Sequence, residues 1–260
     1  MKRHFTFESY MQLLDTFRNS GHHLLTFIDY ISNNCDINKC VILRHDVDRA
    51  PKNSLQMAKL EFGKGIKASY FFRTVGPAYE ESIIEKIADL GHEISYHYED
   101  LSYCLGNYEA AIKNFESNLE KLRKYYSVKT ICMHGSPLSR IDNKKIWEKY
   151  DFRDYGIIAD PAFDVDYDEV FYITDTGRSW NNTSASVRDK VKSKFEINIK
   201  NTHHLIEKIK RSELPDKIML NVHPQRWHDA FVPWASELVR QNFKNVLKRC
   251  LVKLRSADYG

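Results

Sequence analysis

Four short apolar segments in this sequence each run into imidazole or carboxylate groups, and those groups are the kinds that bind and use a metal ion. The segment from Lys39 ends in Arg44-His45-Asp46-Val47-Asp48. A second, from His92, runs into His97-Tyr98-Glu99-Asp100. A third, from Val128, ends in His134-Gly135-Ser136-Pro137, and a fourth, from Lys217, ends in His223-Pro224. Neutral imidazole and carboxylate suit a borderline divalent ion such as zinc, and a catalytic site of that type keeps a position open for water. Such an ion acidifies its water and polarises a scissile carbonyl. A carboxylate outside the coordination sphere can then take the water's proton, and a histidine on the far side can give one to a leaving amine. Each fragment alone has a plain alternative: Asp48 stands near enough to Pro51 to cap a helix, and each histidine could simply end a strand. It is the convergence of all four that argues for chemistry.

Convergence needs a scaffold, and the pattern around these segments supplies one. Lys39 to His45, Lys67 to Phe72, His92 to Tyr96, Val128 to Met133 and Lys217 to Val222 read as buried strands. Between them lie helical patterns: Pro51 to Phe62 ending at Gly63, Glu80 to Leu90 closed by Gly91, Asn107 to Tyr126, Thr202 to Arg211, and a last helix from Trp234 to about Leu254. Shorter strand-like pieces fall at Tyr155 to Ile158, Val170 to Ile173 and Phe195 to Ile199. The N-terminus carries Phe7, Tyr10, Leu13, Leu14 and Phe17 at helical spacing, so it reads as an amphipathic helix and not as a signal peptide. Alternating strands and helices imply a parallel sheet, closed or nearly closed, as a distorted (β/α) barrel of about seven strands. With no repeat, low-complexity segment or linker, residues 1–260 are expected to form a single domain. In such a barrel the working groups sit past the C-terminal strand ends, where all four constellations fall.

Composition narrows the function classes. The 39 basic and 35 acidic residues nearly cancel, and no basic tract with interleaved aromatics points to nucleic acid. No stretch approaches the length of a membrane span, so no membrane insertion is expected. Five cysteines, Cys35, Cys40, Cys104, Cys132 and Cys250, follow no metal or disulfide spacing and are expected to be reduced, in a cytoplasmic protein.

At these same residues the chain resembles the polysaccharide deacetylases with NodB homology, carbohydrate esterase family 4. Arg44-His45-Asp46-Val47-Asp48 occupies the place of the family's Thr-Phe-Asp-Asp motif, Lys67 to Phe72 (KASYFF) resembles its ATFF strand, and Gly91-His92-Glu93-Ile94 matches its Gly-His-Glu-Ile. His97 falls where the first histidine of the family's His-x-x-x-His motif stands, and Asn221-Val222-His223-Pro224 resembles the strand that brings the catalytic acid. The resemblance implies a zinc-type, metal-dependent hydrolase that removes N-acetyl groups from an acetamido sugar. Asp46 would be the base, Asp48 and His97 metal ligands, and His223 the general acid. The RHDVD form is similar to a divergent branch found with surface-polysaccharide and O-antigen biosynthesis, which implies a carbohydrate precursor as substrate.

Departures from the pattern raise a definite question. Val47 stands where the metal-binding aspartate aligns without a gap, and Leu101 stands where the second metal histidine belongs. The family's Arg-x-Pro-x-Gly motif is absent. A third ligand must come from elsewhere: Asp100, if it shares a helical face with His97, or His134, preferred because it stands at a strand end. Arg44, Asp100, Asp175 and Trp180 are the residues expected to contact the sugar, and Trp180, Trp227 and Trp234 could stack on it. The competing reading is a metal-free carbohydrate-binding protein on the same fold.

Overall fold

The side chains of β2 (Cys40–Val47) alternate between two environments, and this alternation organises the molecule. The computed structural model describes residues 3–32, 37–135, 139–180 and 191–257, the last segment by backbone alone from 247 onward. Val41, Leu43 and Val47 enter a large outer core, whereas Ile42 enters a smaller inner one. Every residue of β2 is buried, as expected of a parallel strand covered on both faces. Around it stand β1 (His23–Leu25), β3 (Ser69–Phe72), β4 (Glu93–Tyr98), β5 (Ile131–Met133), β6 (Phe171–Thr174) and β7 (Lys217–Val222). The order is β5-β4-β3-β2-β7-β6, with β1 also on β2, and every pairing is parallel. β1 and β3 share one edge of β2, the first along Cys40–Ile42 and the second along Arg44–Val47.

The sheet curls. Ile42 of β2, Phe71 of β3, Cys132 of β5 and Met219 of β7 meet in one inner cluster with Ala159, which strands of a flat sheet could not do. Ala159 belongs to a segment that adds a parallel bridge to Thr130 outside β5. Among the described residues no pairing joins that segment to β6, so the barrel is open there. The expected α/β class and strand number hold.

The helices are α1 (Phe7–Asn19), α2 (Phe27–Ser32), α3 (Pro51–Phe62), α4 (Glu81–Asp89), α5 (Asp100–Tyr103), α6 (Tyr108–Arg123), α7 (Pro161–Asp164), α8 (Thr202–Lys210) and α9 (Phe231–Ala257). Thr6 and Ser9 form a reciprocal cap on α1, and its stripe of Tyr10, Leu13, Leu14 and Phe17 is buried. Full burial of each such side chain contributes about 1.5–3 kcal/mol. At the end of α4 the chain must reverse into β4. Gly91 allows this at φ 81°, where a side chain would be strained, and its N–H closes on the Ala88 carbonyl at 2.8 Å.

Two buried polar clusters lock the layers. Outside the sheet, Glu61 of α3 accepts from Tyr70 O–H at 2.7 Å and lies 2.7 Å from His45 Nε2, with the Tyr10 hydroxyl also donating to it. His45 therefore faces the helices, away from its neighbour Asp46. At the base of the barrel, the Glu93 carboxylate takes the Ile28 N–H at 3.1 Å and hydroxyl donors from Ser69, Ser95 and Thr130, joining α2, β3, β4 and the residue before β5. Burial pushes its carboxyl upward despite those donors.

Several expectations need correction. Phe195 to Ile199 takes no strand conformation among the described residues, although its alternate residues do turn inward, with Ile199 buried. Tyr155 to Ile158 is not a strand, though Ile158 N–H donates to the Lys129 carbonyl at 2.8 Å and Ala159 beyond it forms the bridge, and β1 and α2, too short for a periodicity signal, were not anticipated. Cys40, Cys104 and Cys132 form no disulfide, while Cys35 and the Cys250 side chain lie outside what is described. Among the described residues no helix is long and apolar enough to cross a membrane.

Candidate metal centre

Period-two alternation selects which side chains meet at the barrel mouth. Along β2, Arg44, Asp46 and Asp48 follow Ile42 inward. Along β4 and beyond, Ser95, His97 and Glu99 share the inward face, since Ile94, Tyr96 and Tyr98 lie in the outer core. By the same rule β5 delivers His134, and β7 delivers Asn221 and His223.

At the mouth, Asp48 Oδ1 lies 3.6 Å from His97 Nε2 and 3.6 Å from His134 Nε2. One ligand atom from each of the three residues lies within 4.8 Å of the others. Ligands bonded to zinc at about 2.0–2.2 Å in a tetrahedron stand about 3.4 Å apart, so this spacing fits an ion. Among the described residues Asp48 Oδ1 is buried without a hydrogen-bond partner, an arrangement that is costly unless a cation completes it. Its other oxygen accepts from Gln225 Nε2–H at 3.0 Å.

Each imidazole is fixed from behind. His97 Nδ1 lies 3.0 Å from the Cys132 carbonyl, so it carries the proton and leaves Nε2 free to ligate. His134 Nδ1 lies 2.8 Å from Glu99 Oε2, and Arg73 Nε–H in turn donates to Glu99 Oε1 at 2.7 Å. Carboxylate and carbonyl partners of this kind orient metal-binding histidines. Burial opposes charge on Asp48, yet the imidazoles of His134, His223 and His97 outweigh it and hold the carboxyl at about 2. Burial pulls His97 down to about 4 against the attraction of Asp46, so its neutral, ligating form prevails at neutral pH.

Beside this cluster sits Asp46. Arg44 grips it with two N–H groups, Nε to Oδ1 at 2.8 Å and Nη2 to Oδ2 at 2.7 Å, and Asn221 donates to Oδ2 at 3.0 Å. Its Oδ2 is 3.8 Å from His97 Nε2. Burial works against its charge, but Arg44, His97 and His223 hold it far below the ordinary carboxylate range. Opposite stands His223, with Nε2 4.0 Å from Asp48 Oδ2. Its Nδ1 is 2.7 Å from Asp175 Oδ1, and the same carboxylate accepts from Arg226 Nη1 at 2.6 Å and Trp227 Nε1 at 2.7 Å. With Nδ1–H engaged on Asp175, Nε2 faces the site. Asp175 is held below its usual range: burial opposes this, and Arg226 and His223 prevail.

The structure thus brings Asp46, Asp48, His97, His134 and His223 together. The four residues expected to touch sugar are each engaged within the protein. Arg44 is committed to Asp46, and fully buried Asp175 is committed to His223 and Arg226. Asp100 faces the opposite way, accepting from Tyr96 at 2.8 Å, Asn118 at 3.0 Å and Asn114 at 2.6 Å. The helical spacing from His97 fails because no helical turn joins the two: His97 is on β4 and Asp100 opens α5. Trp180 is core, packed near Phe5 and Trp227 and donating to Thr202 at 3.0 Å, and Trp227 is equally buried. Leu101 also enters the outer core, so the position of the family's second histidine points away from the mouth. Of the His134 segment, Ser136 and Pro137 lie outside the described residues.

Sequence reasoning gave no role to Glu99, Arg73, Gln225 or Arg226. Glu99 was recoverable, two positions past His97 on the same alternating face; the others depend on loop conformations that carry no such signal.

No family model and no curated protein matches this chain. Among solved structures, it is similar to a CE4 family pseudoenzyme from Bacillus anthracis at 13% identity and TM-score 0.44, covering 81% of this chain and 63% of that one. It is similar to the Xyl-CE4 domain of a multidomain xylanase from the hindgut metagenome of Trinervitermes trinervoides at 15% identity and TM-score 0.36, covering 85% and 84%. A mutant of the peptidoglycan deacetylase PdaC from Bacillus subtilis matches at 12% identity and TM-score 0.40, covering 86% and 96%. Likeness this distant concerns the path of the chain; the chemistry rests on the atoms at the mouth.

Proposed function

We propose that this protein is a metal-dependent hydrolase that removes the N-acetyl group from an acetamido sugar. Asp48, His97 and His134 would hold a zinc-type ion, with His134 supplying from β5 the nitrogen that Leu101 does not. When bound, the ion supplies an acidified water and polarises the acetamide carbonyl. Asp46 takes the proton from the attacking water as its oxygen bonds to the acetyl carbon. The carbon–nitrogen bond then breaks as His223 Nε2 delivers a proton to the departing nitrogen, giving acetate and an amino sugar. Arg44 holds the base in place, and Asp175 sets the tautomer of the acid. We assign the substrate to surface-polysaccharide precursors, on the likeness of the RHDVD segment, and the reaction to the cytoplasm, on cysteine usage.

One observation carries this reading: the buried Asp48 Oδ1, without a hydrogen-bond partner among the described residues and with two imidazole nitrogens at 3.6 Å. A bound cation would complete that arrangement. The test is acetate release from N-acetylglucosamine oligomers and from nucleotide-linked N-acetyl sugars, by apoprotein and zinc-loaded protein. Release that requires zinc supports the proposal. Sugar binding without zinc uptake would replace it with the binding-protein reading, and phosphate release without acetate would replace the bond being cut.

A further inference from the structure

The two oxygens of Asp48 meet different surroundings. Oδ1 stands 3.6 Å from the ligating nitrogens of His97 and His134, whereas Oδ2 accepts from Gln225 Nε2–H at 3.0 Å. Gln225 is 4% exposed, and its Oε1 is buried without a hydrogen-bond partner among the described residues. Burying an amide whose oxygen goes unmatched is unfavourable, so packing alone does not account for a glutamine here. What the side chain provides is the N–H on Asp48.

The turn that carries Gln225 is held from several sides. It follows His223 at the end of β7, with Arg226 N–H closing on the His223 carbonyl at 3.0 Å and Trp227 N–H on the Pro224 carbonyl at 3.2 Å. Asn53 of α3 donates to the Pro224 carbonyl at 3.2 Å and to the Trp227 carbonyl at 3.0 Å. Buried Trp227 then anchors the turn on Asp175. The Gln225 N–H is therefore aimed at Oδ2 by the fold itself.

Holding that oxygen has a chemical consequence. A carboxylate can bind an ion through one oxygen or through both. Both oxygens of Asp48, with His97 and His134, would supply four donor atoms, complete a tetrahedral set and leave no place for water. Through Oδ1 alone, the protein supplies three and the fourth position stays open. Turning Oδ2 onto the ion would break a charge-assisted hydrogen bond, stronger than a neutral one. We propose that Gln225 is a positioning residue that confines Asp48 to one-oxygen ligation and so keeps the water position open. This role rests on the metal centre proposed above.

The test compares the full-length parent with Gln225→Met, which keeps the length and loses the donor, and with Gln225→Leu, which carries no sulfur. Each is loaded with cobalt and titrated with azide, an anion that takes an open metal position and alters the visible spectrum; circular dichroism confirms folding. The variants should bind cobalt within about tenfold of the parent, while azide binds at least about tenfold more weakly and acetate release by the zinc forms falls about 10–100-fold. Azide bound as tightly by the variants as by the parent would overturn the role and leave the metal centre standing. Cobalt lost from folded variants would also overturn it, showing that Gln225 merely orients Asp48. A parent that takes up no cobalt would remove the centre and this role together.

Discussion

Replacing Glu99 with Gln tests whether the cluster at the mouth is built to bind metal or merely happens to lie together. Glu99 touches no ion in the proposed arrangement; it acts on His134 Nδ1 at 2.8 Å, and Arg73 Nε–H donates to its other oxygen at 2.7 Å. A glutamine has one acceptor oxygen where the carboxylate has two. It must give up either His134 or Arg73, and turning its NH₂ toward His134 would favour the wrong tautomer. Loss of a hydrogen bond to a charged group costs about 1.5–3 kcal/mol, and a partner of this kind is typically worth about 10–100-fold in metal affinity. Arg73 is partly exposed and can be solvated, so the fold should persist. The assay is zinc titration against a chromophoric chelator, with circular dichroism to confirm folding. A dissociation constant raised about 10–100-fold is expected. A constant unchanged within about twofold, with His134→Ala still abolishing binding, would show that Glu99 does not orient the ligand.

Asp46→Asn should retain zinc while lowering acetate release by about 10²–10⁴-fold, the usual worth of a general base, as followed by coupled acetate detection. Full activity in that variant would remove Asp46 from the chemistry. His223→Ala should slow an amide substrate more than phenyl acetate, whose leaving group needs little protonation; equal slowing of both in steady-state rates would contradict the acid role. Asp100 is pushed up to about 6 by burial, against its three hydrogen-bond donors. With the folded value above the unfolded one, its contribution to stability is full below about pH 4 and lost as pH rises through about 6. Urea unfolding should therefore show Asp100→Asn gaining on the parent by up to about 3 kcal/mol between pH 4 and 7, and a difference independent of pH would refute this.

What could be read from the sequence was what depends on local period. Pro51–Phe62 was delimited by its proline and Gly63, and the strand ends at Asp46 and Asp48, His97, His134 and His223 were located by apolar runs that stop at polar residues. Alternation then decided which of these face one mouth. What escaped depends on partners distant in sequence. Asp175 looked available for substrate until His223 and Arg226 were found on it, and Trp180 looked like a sugar platform until it proved to be core with Trp227. Arg44 and Asp46 are close neighbours, but only the shared inward face shows that they neutralise each other. Asp100 was placed by a helical spacing from His97, but a strand end and the start of α5 separate the two. Phe195 to Ile199 shows the converse failure, since alternation reports a buried side and says nothing of a hydrogen-bonded neighbour.

Metal stoichiometry and coordination, measured by elemental analysis and X-ray absorption on zinc-loaded parent and His134→Ala protein, test the central claim most directly. The parent should hold about one zinc per chain, with nitrogen and oxygen ligands at about 2.0–2.2 Å, and His134→Ala should lose it. A parent that takes up no zinc, or a His134→Ala variant that binds it as tightly as the parent, would contradict a centre built from Asp48, His97 and His134.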